Sequence, residues 1–481
     1  MSLGQKLSTD ILVSTAINLS KKVRGIVFIP LITKLLGASA YGVYFQVIIV
    51  STLFAGIFRL GLPSALVHYM QKMDSKYERS ELYYSLTMFA VVSGTVVSIV
   101  LALTSSTVSR LALGTETYAE VFRIGSLLVP LYIMREMAHN YFRSKMQIKR
   151  FSLLDGMKTY LVVGGVLLAL LLFNTDLKGV IITMVAVEAL FAFVLQGAVY
   201  SELGFHPPSL QDSEAYFRYS IPVMVTNFSG NLQSRADRLL IGFFLGPWFV
   251  GVYSVAYTVA QLIRMFVLPL RVTLFPELSR LIEEGNEKEC SEIITAGTRY
   301  FLTLSVPAVA GLSLIRHELL GVLSTAEVVA NSRGLVLVLS IGIFFWGLEI
   351  LYRQLFQASG RTSIVSRVRV AGSLLNLGLN VALIGPFGIL GAAIATLVSY
   401  AATFGAIYFL VYSVYEINVD YRLAVKILGS TIVMASIVTG LRINGIAITL
   451  VVAPLTYFTT LYLIGGIERE DLNFVMNILK I

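Results

Sequence analysis

The sequence predicts an all-α polytopic membrane protein of about 14 transmembrane helices. Three observations predict it. Of the 481 residues, 56% are apolar and only 14% are charged, with a mean hydropathy of +0.79. A soluble domain needs about a quarter of its residues charged to dress its surface, so a water-soluble globular protein is excluded. The apolar residues fall into unalternating runs of roughly 20 residues, long enough to cross a bilayer as helices and about twice the length of a barrel strand. Finally, the two halves of the chain repeat each other, which predicts two six-helix lobes related by a pseudo-two-fold axis, followed by two extra C-terminal helices.

The first six runs lie near 11–35, 42–66, 82–104, 118–139, 152–173 and 179–200 and make an N-terminal lobe, 1–200. Residues 201–214 are polar, contain Pro207-Pro208, and read as a cytoplasmic linker. The next six, near 215–245, 248–275, 294–315, 330–356, 363–384 and 388–412, make a C-terminal lobe, 215–412. Residues 413–481 supply two last spans, near 423–441 and 446–466, and a tail from Glu468 to Ile481 patterned to lie along a membrane surface. No gap between runs leaves room for a soluble catalytic domain.

Lys and Arg in the short loops set the orientation. With the N-terminus cytoplasmic, the inner loops hold Lys72, Lys76, Arg79, Arg143, Lys145, Lys149, Arg150, Arg280, Lys288, Arg361, Arg367, Arg422 and Lys426, against little beyond Arg110, Lys178, Arg316 and Arg442 outside. Both termini are therefore expected on the cytoplasmic side of the cell membrane. The net charge of +9 reads as attraction to anionic lipid headgroups, not to nucleic acid. The single cysteine, Cys290, excludes an internal disulfide, and the four histidines have no metal-ligand spacing. The N-terminus carries no cleavable signal pattern. With no GxxxxGK[ST] loop, HExxH or Ser/His/Asp arrangement, the expectation is a transporter without a cofactor, not an enzyme.

Residues 35–44 read LLGASAYGVY and residues 244–253 read FLGPWFVGVY. Both carry Leu-Gly, four variable residues and Gly-Val-Tyr, at an offset of 209. Phe142 and Phe356 occupy similar places near the inner end of the fourth span of each half, at an offset of 214. Six spans separate the copies, so both point the same way. Such parallel repeats, with a site between them, are a transporter architecture.

The segment KLLGASAYGVY (34–44), together with YSIPVMVTNFSGNLQSRADRLLIGFFLGPWFVGVYSVAY (219–257), resembles the polysaccharide (Wzx-like) flippase branch of the multidrug/oligosaccharidyl-lipid/polysaccharide exporter superfamily. Helix number and loop pattern extend the resemblance over the whole chain. It implies a two-lobed bundle that moves a polyprenyl-pyrophosphate-linked saccharide from the inner to the outer leaflet by alternating access. The implied partners are the lipid-linked saccharide, membrane lipids, and glycan polymerase or glycosyltransferase machinery.

Charges inside the apolar runs are the candidate site, because a charge at mid-bilayer needs a partner or a wet cavity. Lys21, Lys22 and Arg24 lie in the first span and Arg59 in the second. Their repeat counterparts are Arg235 and Arg238 in the seventh, with Asp237 between them, and Arg264 in the eighth. Guanidinium forks suit phosphate oxygens better than ammonium does. Arg24, Arg59, Arg235 and Arg264 are therefore the candidate phosphate-binding residues. Lys21, Asp237 and Arg238 join the cavity or form a structural ion pair. Asn18, Tyr44, Gln46, Asn227, Asn231, Gln233, Tyr253, Tyr257 and Gln261 could furnish polar and aromatic walls for sugar.

Arg135, Glu136 and His139 of the fourth span, with Glu349 and Arg353 of the tenth, read either as a gate or as structural pairs at helical spacing. Asp155, Lys158 and Glu188 belong to the cavity wall or to an ion-coupling path. The rival readings are a cation-coupled multidrug exporter of the same superfamily and a membrane-bound polymerase or ligase acting on lipid-linked sugars. The exporter would favour an acidic cavity, and the enzyme a large outer loop. The sequence has neither.

Overall fold

Glycine and proline punctuation decides where the helices start and stop. The computed structural model describes residues 27–145, 147–173, 175–209, 213–233, 235–415, 417, 420–441 and 445–466; for 148–152 and 225–233 it describes the backbone alone. Lys21, Lys22, Arg24, Asn18 and the tail 468–481 lie outside the described residues, as do the side chains of Asn227, Asn231 and Gln233.

Residues 27–35 are helical and lead into α1 (Gly37–Phe58), α2 (Leu62–Met70), α3 (Lys76–Leu103), α4 (Ser105–Leu113), α5 (Ala119–Gly125), α6 (Leu128–Ser144), α7 (Ile148–Leu172) and α8 (Leu177–Leu203). Then follow α9 (Ser213–Gln233), α10 (Ala236–Leu245), α11 (Pro247–Ala260), a 3₁₀ turn (Gln261–Phe266), α12 (Leu268–Glu283), α13 (Glu287–Leu314), α14 (Arg316–Leu323) and α15 (Ala326–Asn331). The last are α16 (Leu335–Ala358), α17 (Thr362–Tyr412), α18 (Tyr421–Gly440) and α19 (Ile446–Leu463). Side-chain caps start several of these helices. Ser75 and Glu78 form a reciprocal capping box on α3, and Asp176, Asn286 and Asp420 cap α8, α13 and α18.

The chain is an all-α, multi-pass membrane protein. Among the described residues, ten helical segments are long and apolar enough to cross a membrane, and thirteen of the fourteen expected runs land on helix; of the first, only 27–35 is described, and it is helical. The run 118–139 is α5 and α6 in succession, and 215–245 is α9 and α10. A straight helix of α17's 51 residues would measure roughly 77 Å, against a hydrocarbon core of roughly 30 Å. Gly388 (φ 58°, ψ −140°) breaks it, at the boundary expected between 363–384 and 388–412.

Two compact units divide the chain, Met1–Gly251 and Val252–Ile481. Compactness therefore does not divide at the polar linker 201–214. The reason is close backbone packing of α9, α10 and the start of α11 on the first unit's other helices. A Cβ on Gly61 would strike the Ser220 carbonyl, and one on Gly242 the Ala112 carbonyl. The repeat segments meet here too. A Cβ on Gly42 would strike the Pro247 carbonyl, and one on Gly251 the Ala38 carbonyl. Positions 38 and 247, and 42 and 251, each differ by the repeat offset of 209. Each copy thus places its glycine against the other copy's helix start, as a two-fold relation requires. Small residues four apart allow the approach. Gly37 (φ 88°) and Gly246 (φ 92°) take the same left-handed conformation just ahead of them.

The first unit's core holds Leu66, Tyr83, Tyr141 and Phe142. That of the second holds Phe301, Tyr352 and Phe356, so both repeat-matched phenylalanines are core residues. Beside the second core, α13, α18 and α19 enclose an apolar cavity of about 320 Å³, lined by Pro307, Leu450, Pro454 and Tyr457 among others.

Candidate functional site

Arg59 stands where α1 ends. Leu60 (φ 55°) and Gly61 (φ 70°) turn left-handed after it, and Pro63 is the second residue of α2. A leucine at positive φ is strained, so this turn is held by its surroundings. The Arg59 guanidinium pairs with Glu136 of α6, their side chains 17% and 39% exposed. Tyr132, Glu136 and Asn140 follow each other at four-residue spacing on one face of α6. A polar cavity of about 180 Å³ opens beside the pair, lined by Arg59, Ser64, Glu136, Asn140 and Arg143, with Gly61, Pro63 and Met224.

Arg235 sits at the break between α9 and α10 and donates to the Thr52 hydroxyl. Thr52 and Arg59 are two turns apart on the same face of α1, roughly 10 Å along its axis. Asp237 and Arg238 take the structural alternative. Arg238 Nη1 lies 3.2 Å from Asp237 Oδ1, both are buried, and the guanidinium lies 5.4 Å from the Phe45 ring centroid. Gln46 is also structural: its amide donates to the carbonyls of Ala112 (2.7 Å) and Arg238 (3.0 Å), bridging α4 and α10.

In the second unit, Pro269 cannot continue the eighth span as regular helix, and the 3₁₀ turn before it presents Arg264. The half-buried guanidinium carbon lies 4.3 Å from the Trp346 ring centroid and 5.9 Å from that of Tyr257, whose hydroxyl accepts from Arg264 Nη2 at 3.0 Å. Arg264 Nε is buried without a hydrogen-bond partner among the described residues. Among the described residues, no carboxylate pairs with Arg264.

The expected gate group separates. Arg135 turns away from Glu136 and pairs with Glu188 of α8 and, at 3.7 Å, with Asp155 of α7; Lys158 joins Glu188 at 2.9 Å. This is a four-membered network of two cations and two anions. His139 is buried one turn further along α6. Glu349 and Arg353 pair along α16 at 3.1 Å. Two residues absent from the sequence expectation, Arg271 of α12 and Arg369 of α17, lie within electrostatic range of both. That makes three guanidinium groups around one carboxylate. At the loop end of α6, burial disfavours the Lys145 ammonium, but the hydrogen bonds it donates to Tyr141 and Glu202 raise its pKa above the ordinary value.

Comparison with known proteins follows the same lines. The model of the family described as "Polysaccharide biosynthesis protein" matches residues 7–282, and the MatE model matches 222–382. The chain is 29% identical over 194 residues to the probable low-salt glycan biosynthesis flippase Agl15 of Haloferax volcanii. That match covers 40% of this chain and spans only 41% of the relative's length. It is 21% identical over 372 residues to the putative O-antigen transporter of Shigella flexneri, covering 75% of this chain and 87% of that one. In fold it is similar to lipid II flippase MurJ in an inward closed conformation, with a TM-score of 0.80, 14% identity, and coverage of 93% of this chain and 98% of that one.

Proposed function

Because the chain belongs to the polysaccharide biosynthesis protein family, within the multidrug/oligosaccharidyl-lipid/polysaccharide exporter superfamily, we propose that it is a flippase. Its cargo is a polyprenyl-(pyro)phosphate-linked oligosaccharide, carried from the cytoplasmic to the outer leaflet of the cell membrane. The observation that carries the reading is Arg264, a permanent charge in a spanning segment, held by Trp346 and Tyr257 and by no carboxylate among the described residues. Aromatic faces stabilise a guanidinium without neutralising it. Its charge and its orphan Nε remain available to an anion, and a phosphate head crossing the bilayer is such an anion. In the first unit, Arg59 and Arg235 are further candidates for binding a phosphate head, with Arg24 as the fourth. The apolar cavity beside α13, α18 and α19 suits a stretch of prenyl tail.

In this proposal the repeats 1–200 and 215–412 are the moving lobes, both termini are cytoplasmic, and glycosyltransferases and a glycan polymerase work on either side of the step. Arg264→Ala should cut the flux of a fluorescent polyprenyl-diphosphate saccharide in proteoliposomes by about 10- to 100-fold, the equivalent of one or two charge-assisted hydrogen bonds. Arg264→Lys should fall between the two, because ammonium keeps the charge and loses the fork. Undiminished flux in Arg264→Ala at normal abundance rejects the reading.

The MatE match favours a second reading, a cation-coupled drug exporter. A cationic drug is poorly served by the three arginines around Glu349. Export of a cationic dye by the wild type, undisturbed by Arg264→Ala, would establish it.

A further inference from the structure

The turn between α1 and α2 gathers more positive charge than it neutralises. Arg59 and Arg143 both line the 180 Å³ cavity, and among the described residues Glu136 is the one carboxylate that lines it. Arg143 is exposed, and among the described residues no carboxylate pairs with it. Among the described residues the one ion pair of the Glu136 carboxylate is with Arg59, and at 39% exposure its side chain has room to rotate away. Arg59 has less freedom. Its backbone ends in two left-handed residues, and the second, Gly61, is packed so closely on the Ser220 carbonyl that no Cβ fits. The turn therefore fixes the backbone that carries one cation, while the anion opposite is partly solvated. Ion pairs at such exposure are weak and exchangeable.

We propose that this cavity is a binding site for phosphate-ester or diphosphate groups, with Glu136 as a built-in competitor that occupies the anion's place when the site is empty. A dianion bridging Arg59 and Arg143 makes two charge-assisted contacts where the carboxylate makes one. Ser64 and Asn140 add neutral polar groups on the rim. When the anion enters, Glu136 is displaced; when it leaves, Glu136 returns, so Arg59 is never left bare in an apolar surround. Thr52, which holds Arg235, lies on the same face of α1 roughly 10 Å along the axis from Arg59. The anion chemistry stands on the cavity alone, whereas the assignment of that anion to lipid-linked cargo rests on the flippase reading.

The test uses the full chain in nanodiscs of neutral phosphatidylcholine, with ³²P-labelled inorganic pyrophosphate as the probe. Glu136→Gln should bind it about fivefold more tightly, the value of one partly exposed ion pair released from competition. Arg143→Gln should bind about fivefold more weakly by the same measure. Unchanged affinity in both, with unchanged melting, overturns the proposal. If Glu136→Gln does not fold, the rim variant Arg143→Gln decides alone.

Two competitors then separate the sources. Competition by phosphatidylglycerol in the disc supports the site and assigns it to bulk-lipid headgroups. Competition by geranylgeranyl pyrophosphate, where phosphatidylglycerol has no effect, supports it as a station for isoprenyl-linked cargo. Loss of flux in Arg264→Ala without the two affinity shifts sinks the cavity proposal and keeps the flippase. The shifts with undiminished flux in Arg264→Ala do the reverse.

Discussion

The reciprocal glycine contact makes a quantitative prediction. In Gly42→Ala the new methyl meets the Pro247 carbonyl and the Gly251 amide, both backbone, so no rotamer change relieves the clash and the helices must separate. Overpacking of this kind costs about 1–3 kcal/mol, and unyielding backbone puts it at the upper end. Replacing glycine by alanine inside a helix returns about 1 kcal/mol of propensity. The net expectation is a loss of about 2 kcal/mol.

Gly56 supplies the control on the same helix, because a Cβ there meets nothing within 4 Å. Gly56→Ala should stabilise by up to about 1 kcal/mol. Gly251→Ala should cost as much as Gly42→Ala, since its Cβ strikes the Ala38 carbonyl. If the two contacts form one interface, the first substitution has already parted the helices. The double variant should then lose at least about 0.5 kcal/mol less than the sum. Denaturant unfolding in mixed micelles measures all four. Equal stability of Gly42→Ala and Gly56→Ala refutes the contact, and strict additivity of Gly42→Ala and Gly251→Ala refutes its being one two-fold interface.

Three other outcomes are expected. Glu188→Gln leaves Arg135 and Lys158 without their shared carboxylate and should destabilise by about 3–5 kcal/mol in the same unfolding assay, with partial recovery on adding Lys158→Met. Gly388→Ala forces a side chain into φ 58°, ψ −140° and should cost about 1–3 kcal/mol, whereas Gly385→Ala, three residues earlier with open space around it, should cost nothing. Trp346→Leu removes the ring face under Arg264 and should reduce saccharide flux by about 2- to 30-fold while leaving expression intact; full flux would show that the ring does not position the cation.

The spans were legible in the sequence because hydropathy over 20 residues depends on composition alone. Interruptions within them were less so. The apolar run 42–66 contains the Arg59–Gly61 turn, and averaging hides it, although Gly61 and Pro63 mark it locally. The repeat was legible as LLGASAYGVY against FLGPWFVGVY, but the reason for its glycines was not. Their use is a backbone approach between segments more than 200 residues apart. The same distance problem governs the charges. Asp237–Arg238 and Glu349–Arg353 could be foreseen as pairs, since their partners are neighbours in sequence or on one helix. Arg59 with Glu136, and Arg135 with Glu188, join different helices. Sequence spacing instead grouped Arg135 with Glu136, which face different partners.

The way each intramembrane cation is neutralised separates support from function. A buried charge that only braces helices needs a full counter-charge, because uncompensated charge in a low dielectric is costly. Arg135 and Lys158 have two carboxylates between them, and Arg238 has Asp237. These groups are complete without a ligand. Among the described residues, Arg264 has aromatic faces and no paired acid, Arg59 shares its cavity with Arg143, which pairs with no carboxylate, and Arg353 shares one glutamate with Arg271 and Arg369. These groups are complete only with water or an anion present. Their sign is the same in both units, as the proposed anionic cargo requires and a cationic drug would not. A phosphate-bearing head would supply the missing charge at the moment it passes, binding tightly enough to enter and, with Glu136 ready to return, weakly enough to leave.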